Sequence, residues 1–392
     1  MKKKIIFVTQ ALWIGGIETA LVNLLNRIDH DRHEVTVLTL RREREMASRL
    51  PEHCRLIVAD RHEAVSFEKP YRFARLFHLT EPATNPSLLH RALMWLTPAV
   101  KWVENRLYIR YIRENLPREH YDACVIYSDV AAETAVRAVQ ADKYVMFYHH
   151  GAMRRVYHDD IGYRKSSAVV AVSQIQAGKL KAFRPKYADK IRVIHNLTDV
   201  DGIREKGTAD VGAAFETDRF HIVSCGRVSQ EKGMDLAVQA CARLVNAGHT
   251  NIRWWIVGGG PAEAEVRAEI ARLGMQEYVS MVGMQKNPYP YIQAADLYVQ
   301  PSRFEGYPLS ILEALILGKA IVSTDNGGAG EILIPEVTGI LCPISSEGIA
   351  EAVERFLMEP TLLRTMQKTV AELNFEEQNR YNVEKLELFI DA

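Results

Sequence analysis

Two glutamates, Glu305 and Glu313, stand with seven residues between them in the stretch Phe304-Glu305-Gly306-Tyr307-Pro308-Leu309-Ser310-Ile311-Leu312-Glu313-Ala314-Leu315. Leu297–Gln300 reads as a strand running into Pro301-Ser302-Arg303-Phe304, and Gly306 permits a tight turn. Pro308 suits the first position of a helix, where its missing N–H costs nothing. Glu305 is therefore expected in a turn at the carboxyl end of a strand, and Glu313 about a turn and a half into a helix. The N–H groups opening such a helix form an anion site, suited to a phosphate or a sugar hydroxyl. A solvated carboxylate is the plainer reading of Glu313, but its neighbours Ile311, Leu312, Ala314 and Leu315 make exposure unnatural. One carboxylate in a turn and one within a helix also argue against a glycosidase-like pair flanking a single bond.

A second group of residues can handle phosphate. In Cys225-Gly226-Arg227-Val228-Ser229-Gln230-Glu231-Lys232-Gly233-Met234, a strand ends in Gly226 and Arg227, and Lys232 follows before a helix. Arginine supplies a rigid fork and lysine a mobile point charge, together suited to a diphosphate. Two surface bases are common, so it is their position at a strand's carboxyl end that gives them weight. Gly15-Gly16 follows the first strand, where glycine allows close approach to a bound group and the helix start adds partial positive charge.

Other phosphate signatures fail. No GxGxxG follows the first strand; at Gly258-Gly259-Gly260 the third required glycine is Glu263; and in a P-loop reading of Gly318-Lys319 the first glycine is Glu313. His149 and His150 end the strand Tyr144–Tyr148, where a histidine can exchange a hydrogen bond with a substrate hydroxyl. A metal site completed by His158 has no carboxylate–histidine spacing to support it, so no metal is expected. Asn196-Leu197-Thr198 is formally a glycosylation sequon, without meaning in a cytosolic protein.

The elements that must hold these residues alternate almost throughout. Ile5–Thr9, Glu34–Thr39, Ala123–Ser128, Tyr144–Tyr148 and Ala168–Ser173 read as buried parallel strands, with helical stretches such as Glu18–Arg27 and Ala131–Gln140 between them. Residues 199–218 are polar, glycine-bearing and without strong periodicity, and read as a linker. A second set follows: His221–Cys225, Arg253–Val257, Val279–Val282, Leu297–Val299, Ala320–Ser323 and Ile340–Cys342, with helices such as Met234–Ala247 and Ala262–Leu273. The expected fold is α/β, with two Rossmann-like, doubly wound parallel-sheet domains facing a cleft. They span residues 1–200 and 217–373, and a C-terminal helix of about residues 374–392 packs back on the first domain. Residues 60–117 interrupt the rhythm as a helical insertion. Within it, Ser87–Asn115 is rich in Leu, Trp, Tyr and Arg. It reads as an amphipathic helix packed on the first domain, or as one lying on a lipid surface. The charge run Arg41-Arg42-Glu43-Arg44-Glu45 reads as a solvated loop.

Composition narrows the classes. The chain has 392 residues, 47% of them apolar, which is enough for two cores; its 49 acidic and 49 basic side chains cancel. That balance argues against a nucleic-acid partner, which calls for a basic excess. The 5 cysteines are scattered without a CxxC pair and read as reduced thiols. Lys2-Lys3-Lys4 before Ile5–Val8 imitates a signal peptide, but Thr9-Gln10 breaks the apolar run. No stretch reaches the roughly 20 apolar residues of a membrane span. The expectation is a cytoplasmic protein, with peripheral contact at the inner membrane face left open.

Taken together, these motifs resemble the retaining glycosyltransferases of family 4 (glycosyl transferases group 1), which have the GT-B fold. The resemblance covers nearly the whole chain and is strongest from His221 to Pro343. It rests on the Glu-x7-Glu pair Glu305/Glu313, on the loop Gly226, Arg227, Glu231, Lys232 and Gly233, and on Asn326-Gly327-Gly328 with Glu331. Thr338-Gly339, Ala295-Asp296 and Pro301-Ser302 add to it. The set is specific; each piece alone is not.

The resemblance implies roles. Arg227 and Lys232 would hold the donor diphosphate and stabilise the departing nucleoside diphosphate. Glu313 would bind the ribose hydroxyls, and Glu305 the donor sugar. The backbone of Gly226 and of Gly306, Tyr307, Pro308 and Leu309 would support sugar and phosphate, and Gly16 would approach the phosphate on domain closure. His149 would contact the transferred sugar, with His150 the alternative if the strand register slips by one. No metal or other cofactor is implied. The donor would be a nucleoside-diphosphate sugar, UDP-sugar favoured over GDP-sugar, carrying a hexose or N-acetylhexosamine. The acceptor would be the hydroxyl of a growing cell-surface polysaccharide or lipid-linked glycan. A nonhydrolysing nucleotide-sugar 2-epimerase and a non-catalytic sugar-nucleotide-binding protein are the alternatives. One departure stands out: where the family often has Asn-Gly-Val-Asp, this chain has Asn196-Leu197-Thr198-Asp199, without an easy positive-φ residue.

Overall fold

The computed structural model describes residues 2–42, 44–59, 103, 105–149, 153, 160–211, 215 and 218–391. Two parallel sheets carry the chain. The first contains β1 (Lys3–Thr9), β2 (His33–Thr39), β3 (Arg55–Val58), β4 (Tyr121–Ile126), β5 (Ala141–Tyr148), β6 (Ala168–Ala171) and β7 (Ile191–Val193), in the order β3-β2-β1-β4-β5-β6-β7. The second contains β8 (Phe220–Cys225), β9 (Ile252–Val257), β10 (Val279–Gly283), β11 (Leu297–Gln300), β12 (Ile321–Thr324) and β13 (Gly339–Cys342), in the order β10-β9-β8-β11-β12-β13. Every pairing is parallel. Strands covered by helices on both faces must be apolar on both, which is why these runs are continuous rather than alternating. Ile5, Ile6, Phe7 and Val8 are all fully buried.

In both sheets the strand order reverses beside the first strand of the set, between β1 and β4 and between β8 and β11. At such a switch point the loops splay apart and leave a crevice at the carboxyl ends. Gly15-Gly16 and His149 lie at that end of the first sheet, and Arg227 and Glu305 at that end of the second.

The terminal helix Phe375–Asp391 leaves the second domain and packs under the first sheet. Val383, Leu386 and Ile390 join the core of Ile5, Phe7 and Phe147, and Lys3 pairs with Asp391 at 3.2 Å. All 5 cysteines are free thiols.

Three sequence expectations change. The stretch 199–218, read as a linker, contains a helix, Val200–Gly207, capped by the Asp199 carboxylate accepting from Gly202 N–H at 3.2 Å. Only Val200, Ile203 and Gly207 face inward, so the helix is too short to show a period. The strand β3 was not foreseen. It is four residues at a sheet edge, starting with an exposed arginine, and carries little strand signal. Asn196–Asp199 needs no positive φ: Glu336 is the only non-glycine residue with one among the described residues. Leu197 is buried, and side-chain amides hold the segment, Asn23 Nδ2 donating to Leu197 O at 2.9 Å and Asn379 Nδ2 to Thr198 O at 2.8 Å.

Of the stretch Ser87–Asn115, residues 87–102 and 104 lie outside the described ones. Residues 105–115 are helical, with Tyr108, Ile109 and Ile112 buried on the first domain and Arg106, Leu107, Arg110 and Arg113 exposed.

Candidate functional site

Glu305 sits at the end of β11 where three chain segments converge. Its Oε1 accepts from Lys232 Nζ at 2.6 Å, from Ser302 Oγ at 2.8 Å and from Gln300 Nε2 at 3.0 Å. Gln300 is held in turn by Tyr298 OH at 2.8 Å and Ser310 Oγ at 3.0 Å, both donating to its Oε1. The Glu305 backbone N–H donates to Asn326 O at 3.3 Å, and a bridge joins Glu305 to Gly327. All three of these side-chain donors go to Oε1. A carboxylate fixed by charge-assisted bonds keeps one orientation.

Lys232 reaches Glu305 because its loop is pressed against β11. Gly233 has φ +64°, and a Cβ there would lie 2.1 Å from the Pro301 carbonyl oxygen, so only glycine fits. Arg303 locks the same junction. Its guanidinium clasps Asp235 with two bonds of 2.8 and 2.6 Å and donates to Gln230 O at 2.9 Å, while its N–H donates to Glu231 O at 2.8 Å. Arg227, one strand-end earlier, is exposed and has no partner among the described residues. The pair thus comprises one cation already committed to a carboxylate and one open to an anion.

Glu313 lies in the helix Leu309–Ile316, half-buried, accepting from Tyr289 OH at 3.1 Å. Burial pushes its carboxyl up to about 7, against the lowering effects of the Tyr289 hydroxyl and the Lys232 charge. Tyr289 was not singled out from the sequence; its signal is weak, one tyrosine in Pro288-Tyr289-Pro290-Tyr291. Gln300 had a better one, being the single polar residue of an otherwise apolar strand, Leu297–Gln300. Pro308, expected inside the helix, stands one place earlier as its N-cap, at φ −75° and ψ 99°. Proline's fixed φ and lack of an N–H suit this position equally.

From the first domain, Gly16 opens the helix Gly16–Leu25, and a Cβ added to it would meet Leu309 Cδ1 at 3.9 Å. The two halves of the cleft thus approach each other at this glycine. The His149 ring stacks on Phe147 with centroids 5.6 Å apart and tilts against Tyr127 at 4.7 Å. His150 lies outside the described residues. Among the described residues no three His, Cys, Asp or Glu gather as a metal-binding group.

Two family models match, and between them they span both domains. The model described as Glycosyltransferase Family 4 matches residues 14–201, and the one described as Glycosyl transferases group 1 matches residues 208–372. The chain belongs to this glycosyltransferase family. Among curated relatives, the N-acetylgalactosamine-N,N'-diacetylbacillosaminyl-diphospho-undecaprenol 4-alpha-N-acetylgalactosaminyltransferase of Campylobacter jejuni is 30% identical over 183 residues, 46% of this chain and 48% of that protein. The alpha-D-kanosaminyltransferase of Streptomyces kanamyceticus is 30% identical over 217 residues, 54% of this chain and 56% of that protein. These matches span about half the length of the curated relatives. Among solved structures, Anabaena HepE in complex with UDP and glucose superposes with a TM-score of 0.69 at 20% identity, covering 98% of this chain and 99% of that one. The fold is GT-B, and both the family resemblance and the fold expected from the sequence hold.

Proposed function

We propose that this chain is a retaining glycosyltransferase. It moves a hexose or N-acetylhexosamine from a nucleoside-diphosphate sugar to an acceptor hydroxyl in cell-surface polysaccharide or lipid-linked glycan synthesis. The observation that carries the reading is the Lys232–Glu305 pair at the switch-point crevice, with Arg227 open beside it. Two cations for a diphosphate and one oriented carboxylate for sugar hydroxyls are what a donor of this class requires.

In this reading Arg227 and Lys232 bind the diphosphate, Glu305 the sugar and Glu313 the ribose. The backbone of Gly226 and of Gly306 to Leu309 supports phosphate and sugar. Gly16 approaches the phosphate, and His149 contacts the transferred sugar. As the bond from C1 to the phosphate oxygen breaks, the acceptor oxygen bonds to C1 on the same face and its proton passes to the departing phosphate. The charge growing on that phosphate is met by Arg227 and Lys232, so we propose that no metal is needed. The UDP bound by HepE, which shares this fold, supports a uridine donor.

A thermal-shift screen with UDP, GDP, ADP and their sugars tests this. A ligand at 100 times its Kd stabilises the folded chain by about 2.7 kcal/mol, which raises Tm by a few degrees. UDP is expected to give the largest rise; no rise with any nucleotide would remove the donor site.

We also propose peripheral lipid contact through Ser87–Asn115. Among its described residues, the outward face of 105–115 presents Leu107 with Arg106, Arg110 and Arg113, a basic and apolar combination suited to an anionic surface. Leu107→Glu is expected to reduce co-sedimentation with anionic vesicles severalfold, and equal co-sedimentation of variant and wild type would return the helix to a purely structural role. Among the described residues no helix is long and apolar enough to cross a membrane.

A further inference from the structure

Three of the contacts between the two domains, among the described residues, lie around the turn that carries Glu305. The most specific is a carboxylate seated in a helix N-terminus. The helix Gln174–Phe183 of the first domain has Ser173 as its N-cap, whose Oγ accepts from Gln176 N–H at 3.0 Å. The amides of Gln174 and Ile175 still need acceptors from outside the helix. Both find one in the second domain. Gln174 N–H donates to Glu331 Oε2 at 2.5 Å, and Ile175 N–H donates to Glu331 Oε1 at 2.5 Å. A carboxylate here also meets the positive end of the helix dipole.

The other two contacts flank Glu305 itself. Lys179, on the same helix, lies 4.7 Å from the centroid of Phe304, and His195 stacks on Tyr307 with centroids 4.8 Å apart. Glu331 is rigidly tied to this turn. It ends the short turn Ala329–Glu331, and Gly328, just before it, packs so closely that an added Cβ would lie 2.8 Å from Gly306 O.

We propose that Glu331 is a positioning residue that sets the register of the two domains across the cleft. With both oxygens held by successive amides of the first domain, it fixes the Glu305–Leu309 turn opposite Gly16 and His149. Two domains joined by a modest interface move relative to one another by default. A bidentate carboxylate selects one relative orientation where an apolar contact would allow many. The consequence for transfer rests on the function proposed above; the register itself does not.

The test uses the full chain and two variants on opposite sides of the contact. Glu331→Ala removes the acceptor. Gln174→Pro removes one donor, and proline is tolerated at this first helical position because Ser173 before it is extended, at φ −152° and ψ 159°. Small-angle scattering of the ligand-free protein is expected to show a larger radius of gyration for Glu331→Ala and a smaller increase for Gln174→Pro, with the double variant no different from Glu331→Ala. Transfer kcat is expected to fall about tenfold in Glu331→Ala, while UDP affinity, for which the second domain supplies every charged group, stays within about twofold of wild type. Unchanged scattering in both single variants would overturn the proposal, as would additive effects in the double variant, which would mean two unrelated defects. The scattering needs no substrate, so it reads the register even if the chain transfers no sugar. Failure of wild type to bind any nucleotide would instead strike the proposed function.

Discussion

Lys232→Ala is expected to lower kcat for sugar transfer by about 10²–10³-fold while the protein still folds. The magnitude is that of removing one fixed donor aimed at the charge that develops in a transition state. In the proposed mechanism the leaving diphosphate gains negative charge as its bond to C1 breaks, and Lys232 is one of two cations there. The fold survives because Glu305 is not orphaned. Ser302 Oγ and Gln300 Nε2 still donate to the same oxygen at 2.8 and 3.0 Å. The Lys232 side chain is itself 23% exposed, so water can take its place. Lys232→Arg keeps the charge but must fit beside Gly233 and Pro301, and should recover only part of the rate. Steady-state kinetics and a thermal melt read both effects. Near-normal turnover in Lys232→Ala would sink the assignment of this lysine.

The second large effect is a pH dependence at Glu313. Its carboxyl, pushed up to about 7 by burial, changes charge within the working range. Ribose hydroxyls donate more strongly to the anion than to the carbonyl oxygen of the protonated acid. Donor affinity should therefore fall by up to about tenfold per pH unit below about 7, or by up to roughly a hundredfold from pH 8 to pH 5. The ligand must be a nucleotide sugar, because the terminal phosphate of a free nucleoside diphosphate titrates in the same range.

Stability moves the other way. The folded state holds this proton more tightly than the unfolded chain does. The contribution is therefore fully present below the unfolded value near 4.5 and is lost as pH rises through about 7. Glu313→Gln should bind donor more weakly than wild type at pH 8 and show a flat profile. A Kd that is independent of pH in wild type would remove the ribose role.

How far the sequence carried this picture depends on what each residue's neighbours in the chain reveal. Short apolar runs such as Ile5–Val8, too short for a helix and repeated between helical stretches, read as strands covered on both faces, so the two sheets were readable. Glu305 and Lys232 were readable because glycines flank them, and such glycines mark where backbone must come close; Gly233 against Pro301 O is the clearest case.

What could not be read is partnership across long separations. Tyr289 meets Glu313, and Arg303 meets Asp235, through the fold and not through any local pattern. Glu331 appeared only as part of a loop motif, because the amides it satisfies lie more than a hundred residues away. The helix Val200–Gly207 was missed for a different reason: eight residues with two inward apolar side chains do not establish a period.

In the proposed function the crevice at β8 and β11 binds a nucleoside-diphosphate sugar through Arg227, Lys232, Glu305 and Glu313. A crystal structure of the chain with UDP bound tests it most directly. The diphosphate is expected within about 2.7–2.9 Å of the Arg227 guanidinium and Lys232 Nζ, with the ribose hydroxyls on the Glu313 carboxylate. UDP bound anywhere else, or in this crevice with its phosphates away from both cations, would contradict it.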